Sequence, residues 1–448
     1  MLMRSPDALP EPEQAWRGLA GEFSGFDHLL LAVSGGPDSL AMLVGMTRLR
    51  AAGLLTAELF VVTVDHALRP ESSAEAQSVA DLCDALGVAH HTVRLAARPV
   101  GVNLQGWARG ERYRVMADLL REKAGNRAGE SAAIVTAHMA EDQAETFLMR
   151  ASRGTGSDGL AGIRPAVRLE GVHVIRPFLA WPRGRLHLAL AGTGLKPAFD
   201  PSNADPSFTR VRYRDWLANG PTPDNSRSIA LGFEESARIA QLESQALDVW
   251  AERLFVDLGA APDGLRAGKV DVKAVPLAVL ARLMRLAMAS VSRQPDAWQR
   301  LDLARMIGWS ADLQSQGSGK VVCAGAVLQW EDSAGSVSIC AYAEAGRSGF
   351  PSLTLAPGES SVWDERFAVT NNTDIALSVR AAAPGDSHSD VDGFPAVAWQ
   401  SLPVATDGDE FFASVPKPSS SMVLQWLEPA LRKAGRLDDG GTMPQGEP

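Results

Sequence analysis

Strict alternation of short apolar runs with helical periods over the first 200 residues is the feature that most limits the fold of this chain. His28–Val33 (HLLLAV) and Leu59–Val64 (LFVVTV) are continuous apolar runs of strand length, and further strands are predicted at Ala89–Leu95 and Ala132–Thr136. Between and after them the spacing predicts helices over Ser39–Arg50, Ala74–Leu86, Leu104–Lys123 and Ala140–Arg150. A helix after every strand leaves no hairpin to pair neighbours antiparallel. The pattern therefore predicts an α/β fold, a doubly wound parallel sheet with helices on both faces. Ligands of such sheets sit beyond the carboxyl ends of the strands, so the residues leaving each strand are the candidate site.

With 448 residues the chain exceeds one ordinary domain. Residues 1–220 are expected to form the sheet domain, with a glycine-rich loop at 154–164 and a polar stretch at 198–206. A linker at 221–226 leads to a mainly helical middle domain, 227–345, with helical spacing over Phe233–Leu258 and Leu277–Trp309 and β-like runs at Lys320–Leu328 and Ser336–Tyr342. Period-2 fragments at Leu353–Leu355, Phe367–Thr370 and Ala376–Val379 predict a small α+β C-terminal domain over 346–437, and 438–448 reads as a disordered tail. No run of 18 apolar residues or secretory signal pattern occurs, so the expectation is a cytoplasmic protein with no membrane partner. The three cysteines are too scattered for a disulfide framework or a zinc site of CxxC pairs.

The net charge of −10 argues against purely electrostatic binding of nucleic acid, but the acid excess is uneven. Residues 1–215 hold 24 Lys+Arg against 24 Asp+Glu, while residues 216–448 hold 19 against 29. Residues 94–127 carry eight basic and three acidic groups, and 150–214 eleven and four, so both segments suit phosphate.

After the first strand comes Ser34-Gly35-Gly36-Pro37-Asp38-Ser39, directly before an apolar helix. Two glycines permit a tight turn that exposes backbone amides, and the helix N-terminus adds unpaired N–H groups and the positive dipole end, which suits a pyrophosphate. The loop lacks the Lys of GxxxxGK[ST] and is not GxGxxG. It resembles the phosphate loop of the PP-loop ATP pyrophosphatases, of the adenine nucleotide alpha hydrolase-like fold, which cleave ATP between the α and β phosphates to adenylate a substrate oxygen.

Further motifs follow in order. Val64-Asp65-His66-Ala67-Leu68-Arg69 ends the second strand; Arg109, Glu111, Arg112 and Tyr113 lie on the long helix; Thr136-Ala137-His138 leaves the fourth strand and runs into Glu141, Asp142 and Glu145. His138, Asp142 and Glu145 share a face if the helix starts by His138. Arg153-Gly154-Thr155-Gly156, Gly159–Ile163, Arg176-Pro177-Phe178-Leu179, Asp200–Asp205 and Phe208-Thr209-Arg210 complete the set. Together these motifs resemble the tRNA(Ile)-lysidine synthetase family over residues 28–215.

The resemblance implies ATP-dependent attachment of free L-lysine to C2 of the wobble cytidine of an isoleucine tRNA, by adenylation and then attack of the ε-amine. It implies that Ser34, Gly35, Gly36, Pro37, Asp38 and Ser39, with Asp65 and His66, bind ATP, that Asp38 and Asp142 meet Mg2+, and that Asp38, Arg112, His138, Asp142 and Arg210 serve catalysis, Asp142 or His138 orienting the lysine amine. Each of these residues also has a structural reading, such as Asp142 capping its helix or His138 filling core. Oligomeric state, a homodimer included, is not fixed by the residues.

Two departures stand out. Val211 follows Arg210 where the family carries a polar residue, and after Arg380 the C-terminal motif ending at Gly385-Asp386 lacks its second basic residue. Two alternatives remain open, a 2-thiocytidine synthetase of the same superfamily, which is expected to use cysteines, and a non-catalytic tRNA-binding protein.

Overall fold

The computed structural model describes residues 13–65, 72–95, 104–125, 131–198, 205–219, 226–257, 266–292, 301, 303–315, 317–333, 336–345, 349–364, 367–371, 373–383, 401, 403–406 and 411–412. His66, Arg69, 199–204, the Gly385-Asp386 motif and the tail from 438 lie outside them. Internal contacts divide the chain into two units, Met1–Glu243 and Ser244–Pro448.

In the first unit α1 (Glu13–Ala20) leads into β1 (His28–Ala32), α2 (Pro37–Ala51), β2 (Glu58–Asp65), α3 (Ser72–Leu86), β3 (Ala89–Arg94), α4 (Leu104–Ala124), β4 (Ala132–Val135) and α5 (Ala140–Ala151). Every predicted strand and helix of this stretch is present within about two residues at its ends, the usual fraying of element boundaries. Four-residue α6 (Ser157–Leu160) lies in the glycine-rich stretch, and β5 (Ala166–Leu169), β6 (Val172–Ile175), α7 (Arg183–His187) and α8 (Thr209–Asn219) follow. The β5–β6 hairpin was not legible. Its strands are only four residues long, and its turn, Glu170 (φ 50°) and Gly171 (φ 73°), places a non-glycine in the left-handed region.

The sheet order is β3-β2-β1-β4-β6-β5, parallel throughout except for the antiparallel edge strand β5. β1 lies between β2 and β4, so the chain first winds toward β3 and then returns past β1 to β4. The gap beyond the carboxyl ends of β1 and β4 is thus the topological switch point. Side chains alternate between two cores. Leu29, Leu31, Val61 and Val135 pack with Met42, Met46 and Trp16 on one face, while Leu30, Phe60, Val62 and Ile134 pack with Tyr113, Met116 and Leu120 of α4 on the other. Burial on both faces explains why these strands read as unbroken apolar runs. Gly45 admits the Trp16 ring against α2, where any Cβ would collide with it.

The second unit contains most of the expected middle domain, in which helices are accompanied by four strands. The long helix α9 (Ser226–Asp257) runs into it, followed by β7 (Arg266–Val270), α10 (Leu277–Val291), α11 (Leu303–Ser315), β8 (Ser318–Cys323), β9 (Ala326–Ser333) and β10 (Ser336–Ala343). The four strands form an antiparallel sheet in the order β7-β10-β9-β8. The run Lys320–Leu328, read as one β segment, is split by Ala324 and Gly325, both at positive φ, into the hairpin β8–β9. Farther on, β11 (Leu353–Leu355), β12 (Ser360–Trp363), β13 (Phe367–Thr370), β14 (Leu377–Ala381), β15 (Pro403–Thr406) and β16 (Phe411–Phe412) make two small sheets around Trp363 and Leu355. Among the described residues no helix is long and apolar enough to cross a membrane.

Candidate active site

The turn from β1 into α2 is shaped by its glycines and serines. Gly35 adopts φ 81°, a conformation that strains any L side chain, and Pro37 starts the helix where its missing N–H costs nothing. The Ser39 hydroxyl closes the turn. It donates to Gly36 O (3.0 Å), accepts from the Ser34 amide (3.2 Å) and lies 3.3 Å from Ser34 Oγ. The loop is backed by Ala198, whose amide donates to Gly35 O at 2.9 Å. Helix geometry leaves the first-turn amides of α2 without intrahelical partners, as an anion site requires.

A cavity of about 630 Å³ opens above this loop, lined by Ser34, Gly36–Ser39, Asp65, Arg112, His138, Asp142 and Arg210, with Glu75, Thr136, Arg183 and Arg214. The fold therefore gathers the motif residues of three strand exits, β1, β2 and β4, and of helices α4, α5 and α8 in one place. His66 lies outside the described residues. Asp38 is held by α7: its Oδ1 accepts from His187 Nε2 (2.6 Å) and lies 3.6 Å from Arg183 Nε.

On the other side α5 begins at Ala140, so His138 reaches the cavity from the strand exit and not from a helical face. Its Nδ1 lies 2.8 Å from Thr136 Oγ1. Asp142 performs two tasks. Its Oδ2 accepts the Met139 amide (2.9 Å), capping the helix, and its Oδ1 accepts Arg210 Nη2 (2.6 Å). Glu145, fully buried, accepts from Arg210 Nε (2.5 Å) and Arg214 Nε (2.8 Å). The residue between these arginines' turns, Val211, is only 6% exposed and packs into the core, which explains the apolar substitution there.

Electrostatics divide the roles. Burial opposes ionisation of Asp142, but Arg210, His138 and the Met139 amide outweigh it and hold the carboxyl below its usual range. Burial pushes His138 down to about 4; Asp142 opposes that shift, while Arg176, Arg210 and Arg112 reinforce it. His138 is therefore a neutral hydrogen-bonding group at neutral pH. Because the folded pKa lies below the unfolded value, the unfolded chain binds more protons between pH 4 and 6.5, and stability rises with pH through that window. The advantage of the parent over His138→Gln should accordingly grow by on the order of 2 kcal/mol from pH 4.5 to 7. Urea unfolding at the two pH values checks this; an unchanged difference would contradict the assignment.

Arg112 stacks on Tyr113, with Arg109 on the same ring (5.4 and 5.5 Å), and Arg176 is 4% exposed with Nη1 on Arg164 O (2.8 Å). Burial raises the Tyr113 phenol, but Arg112, Arg176 and Arg109 together bring it below its usual value. This wall carries several positive charges close together. The glycine-rich stretch has a structural duty. Gln143 bonds both the amide (2.6 Å) and carbonyl (2.9 Å) of Ile163, and Arg150 Nη1 donates to Gly159 O and Gly162 O. Residues not singled out from the sequence are Arg183, His187 and Arg214, while Glu141 stood in the motif after His138 without an assigned role; the i,i+4 pair Arg183 and His187 was the available signal, and a weak one.

The PP-loop domain pattern matches residues 13–220. The tRNA(Ile)-lysidine synthase of Novosphingobium aromaticivorans is 39% identical over 295 residues, covering 65% of this chain and 82% of the relative. That of Rhodopseudomonas palustris is 36% identical over 323 residues (70% and 90% covered). The chain belongs to the tRNA(Ile)-lysidine synthase family. A third member, from Rhizobium meliloti, is 34% identical over 381 residues and covers 80% of this chain and 76% of its own length, so the family likeness extends beyond the sheet domain. Members of this family are PP-loop ligases, and the cavity described above is where the family motifs converge in this chain.

Proposed function

We propose that the protein is a carbon–nitrogen ligase that uses ATP to attach L-lysine to C2 of the wobble cytidine of an isoleucine tRNA. The observation that carries this is that the phosphate loop faces His138, Asp142 and Arg210 across one cavity. In the first half-reaction the cytidine O2 attacks the α-phosphorus of ATP and pyrophosphate departs; the Ser34–Ser39 amides meet the charge that grows on it. In the second the ε-amine forms the N–C2 bond, the C2–O bond breaks and AMP carries the oxygen away. Asp142 and neutral His138 orient the amine, Arg210 balances Asp142, and Arg112 offers its charge to the phosphate side of the cavity.

Among the described residues no three His, Cys, Asp or Glu groups form a ready metal site. Asp38 nevertheless fits Mg2+, which is commonly held by one or two carboxylates plus substrate phosphates. Bound there, magnesium would neutralise the phosphates. Asp142, with both oxygens on N–H donors, suits the amine better than the metal. A thiolation reading is disfavoured because Cys83 is fully buried and its thiol is pushed up to about 12 by burial and Asp84. A cytoplasmic location, where ATP, lysine and tRNA meet, belongs to the same reading.

Incubation with ATP, magnesium, labelled lysine and isoleucine tRNA should yield labelled lysidine on nucleoside analysis. Consumption of ATP without labelled nucleoside would reject the reading. Affinity for tRNA should fall with salt despite the net charge of −10, and Arg109→Gln, on an exposed position of α4, should lower the slope of log affinity against log salt by about one. Filter binding at several salt concentrations checks this, and an unchanged slope would remove Arg109 from the phosphate-contacting set.

A further inference from the structure

We propose that His187 is a positioning residue that orients the Asp38 carboxylate for a magnesium–nucleotide complex. The inference rests on the ATP-binding reading of the phosphate loop and adds a residue that no motif of that reading contains. His187 Nε2 lies 2.6 Å from Asp38 Oδ1, and Arg183 Nε approaches the same oxygen at 3.6 Å. Both contacts use Oδ1 and leave Oδ2 for a cation. A carboxylate that ligates a metal is commonly fixed by a hydrogen bond of this kind, and loss of the outer partner costs about 10–100-fold in metal affinity.

The element that presents His187 is itself fixed at both ends. The Arg183 amide donates to both oxygens of Glu141 at 2.9 Å, tying α7 to α5, the helix of Asp142. Leu186 and Ala189 are fully buried in the core beside α2, and Arg48 of α2 donates to Ala189 O at 3.0 Å. α7 thus connects the phosphate loop to the α5 side of the cavity, and His187 transmits that reference to Asp38. The side chains of His187 and Asp38 keep 31% and 32% exposure. A pair so exposed contributes little to stability, so its consequence is orientation and not folding.

The test uses the full-length protein, Mn2+ as the probe and a non-hydrolysable α,β-methylene ATP, without tRNA or lysine. Electron paramagnetic resonance titration should show His187→Leu binding the Mn2+–nucleotide complex at least about 10-fold more weakly than the parent. His187→Gln, whose amide can still donate, should retain most of the affinity. Unchanged circular dichroism and melting temperature in both variants, with a raised KM for magnesium–ATP and an unchanged KM for lysine in His187→Leu, would complete the expected result. Parental Mn2+–nucleotide affinity in His187→Leu overturns the proposal, as does a His187→Gln variant as weak as His187→Leu. If the parent fails to bind the complex, the ATP-binding reading falls as well, which separates the two failures.

Discussion

Ser39→Ala and Asp38→Asn are each expected to reduce ATP-dependent pyrophosphate release by about 10²–10³-fold, the effect of removing one preorganised group that faces developing charge. For Ser39 the reason is the shape of the loop. Its hydroxyl is the acceptor for the Ser34 amide and the donor to Gly36 O, so alanine releases both ends of the turn that aims the amides. For Asp38 the reason is charge, because asparagine keeps the shape and the contact with His187 but gives up the anion that magnesium would meet. Quenched-flow measurement of pyrophosphate with saturating tRNA reads the step directly. Parental release in either variant would show that the loop does not hold the departing group. Binding of tRNA should be unchanged in both, since neither side chain belongs to the arginine wall.

The double substitution Arg210→Met, Arg214→Met is expected to destabilise the first unit strongly and to abolish lysidine formation. Glu145 has no exposure, and these two guanidinium groups are the cations bonded to its carboxylate. Removing both leaves a buried charge without compensation, which costs about 3–5 kcal/mol in deeply buried pairs. Here Arg210 and Arg214 keep 42% and 30% exposure, so water can reach the site and the effect should fall near the low end, about 3 kcal/mol. Adding Glu145→Leu should restore most of the stability, because the triple variant has no orphaned charge. It should not restore activity, since Asp142 would still lack Arg210. Chemical denaturation and nucleoside analysis on the three proteins separate the two roles. A double variant as stable as the parent would show that the network is not needed to accommodate Glu145.

Much of the first unit was legible because its causes are local. Apolar runs such as Leu29–Leu31, buried on both faces, suit the middle of a parallel sheet, and the helical periods between them supply the crossovers that select it. The phosphate loop was equally legible, since the φ of 81° at Gly35 and Pro37 at the first helical position are requirements that particular residue types meet. The β5–β6 hairpin and the splitting of Lys320–Leu328 were not, because turns that hold a non-glycine, Glu170 or Ala324, at positive φ carry no compositional mark.

The winding of the sheet, the anion-binding turn and the set of charged residues near the strand exits all follow from local sequence. Tertiary structure alone decided which of those charges are paired and which are usable. Asp38 meets His187 across 149 positions, and Glu145 meets Arg210 and Arg214 across 65 and 69. His138, a potential base when read as a letter, becomes a neutral group with a pKa of about 4 through burial and neighbouring arginines. Ionisation and pairing depend on burial and on charges brought from distant segments, whereas the tendency to form a strand, a helix or a glycine turn is settled within a few residues.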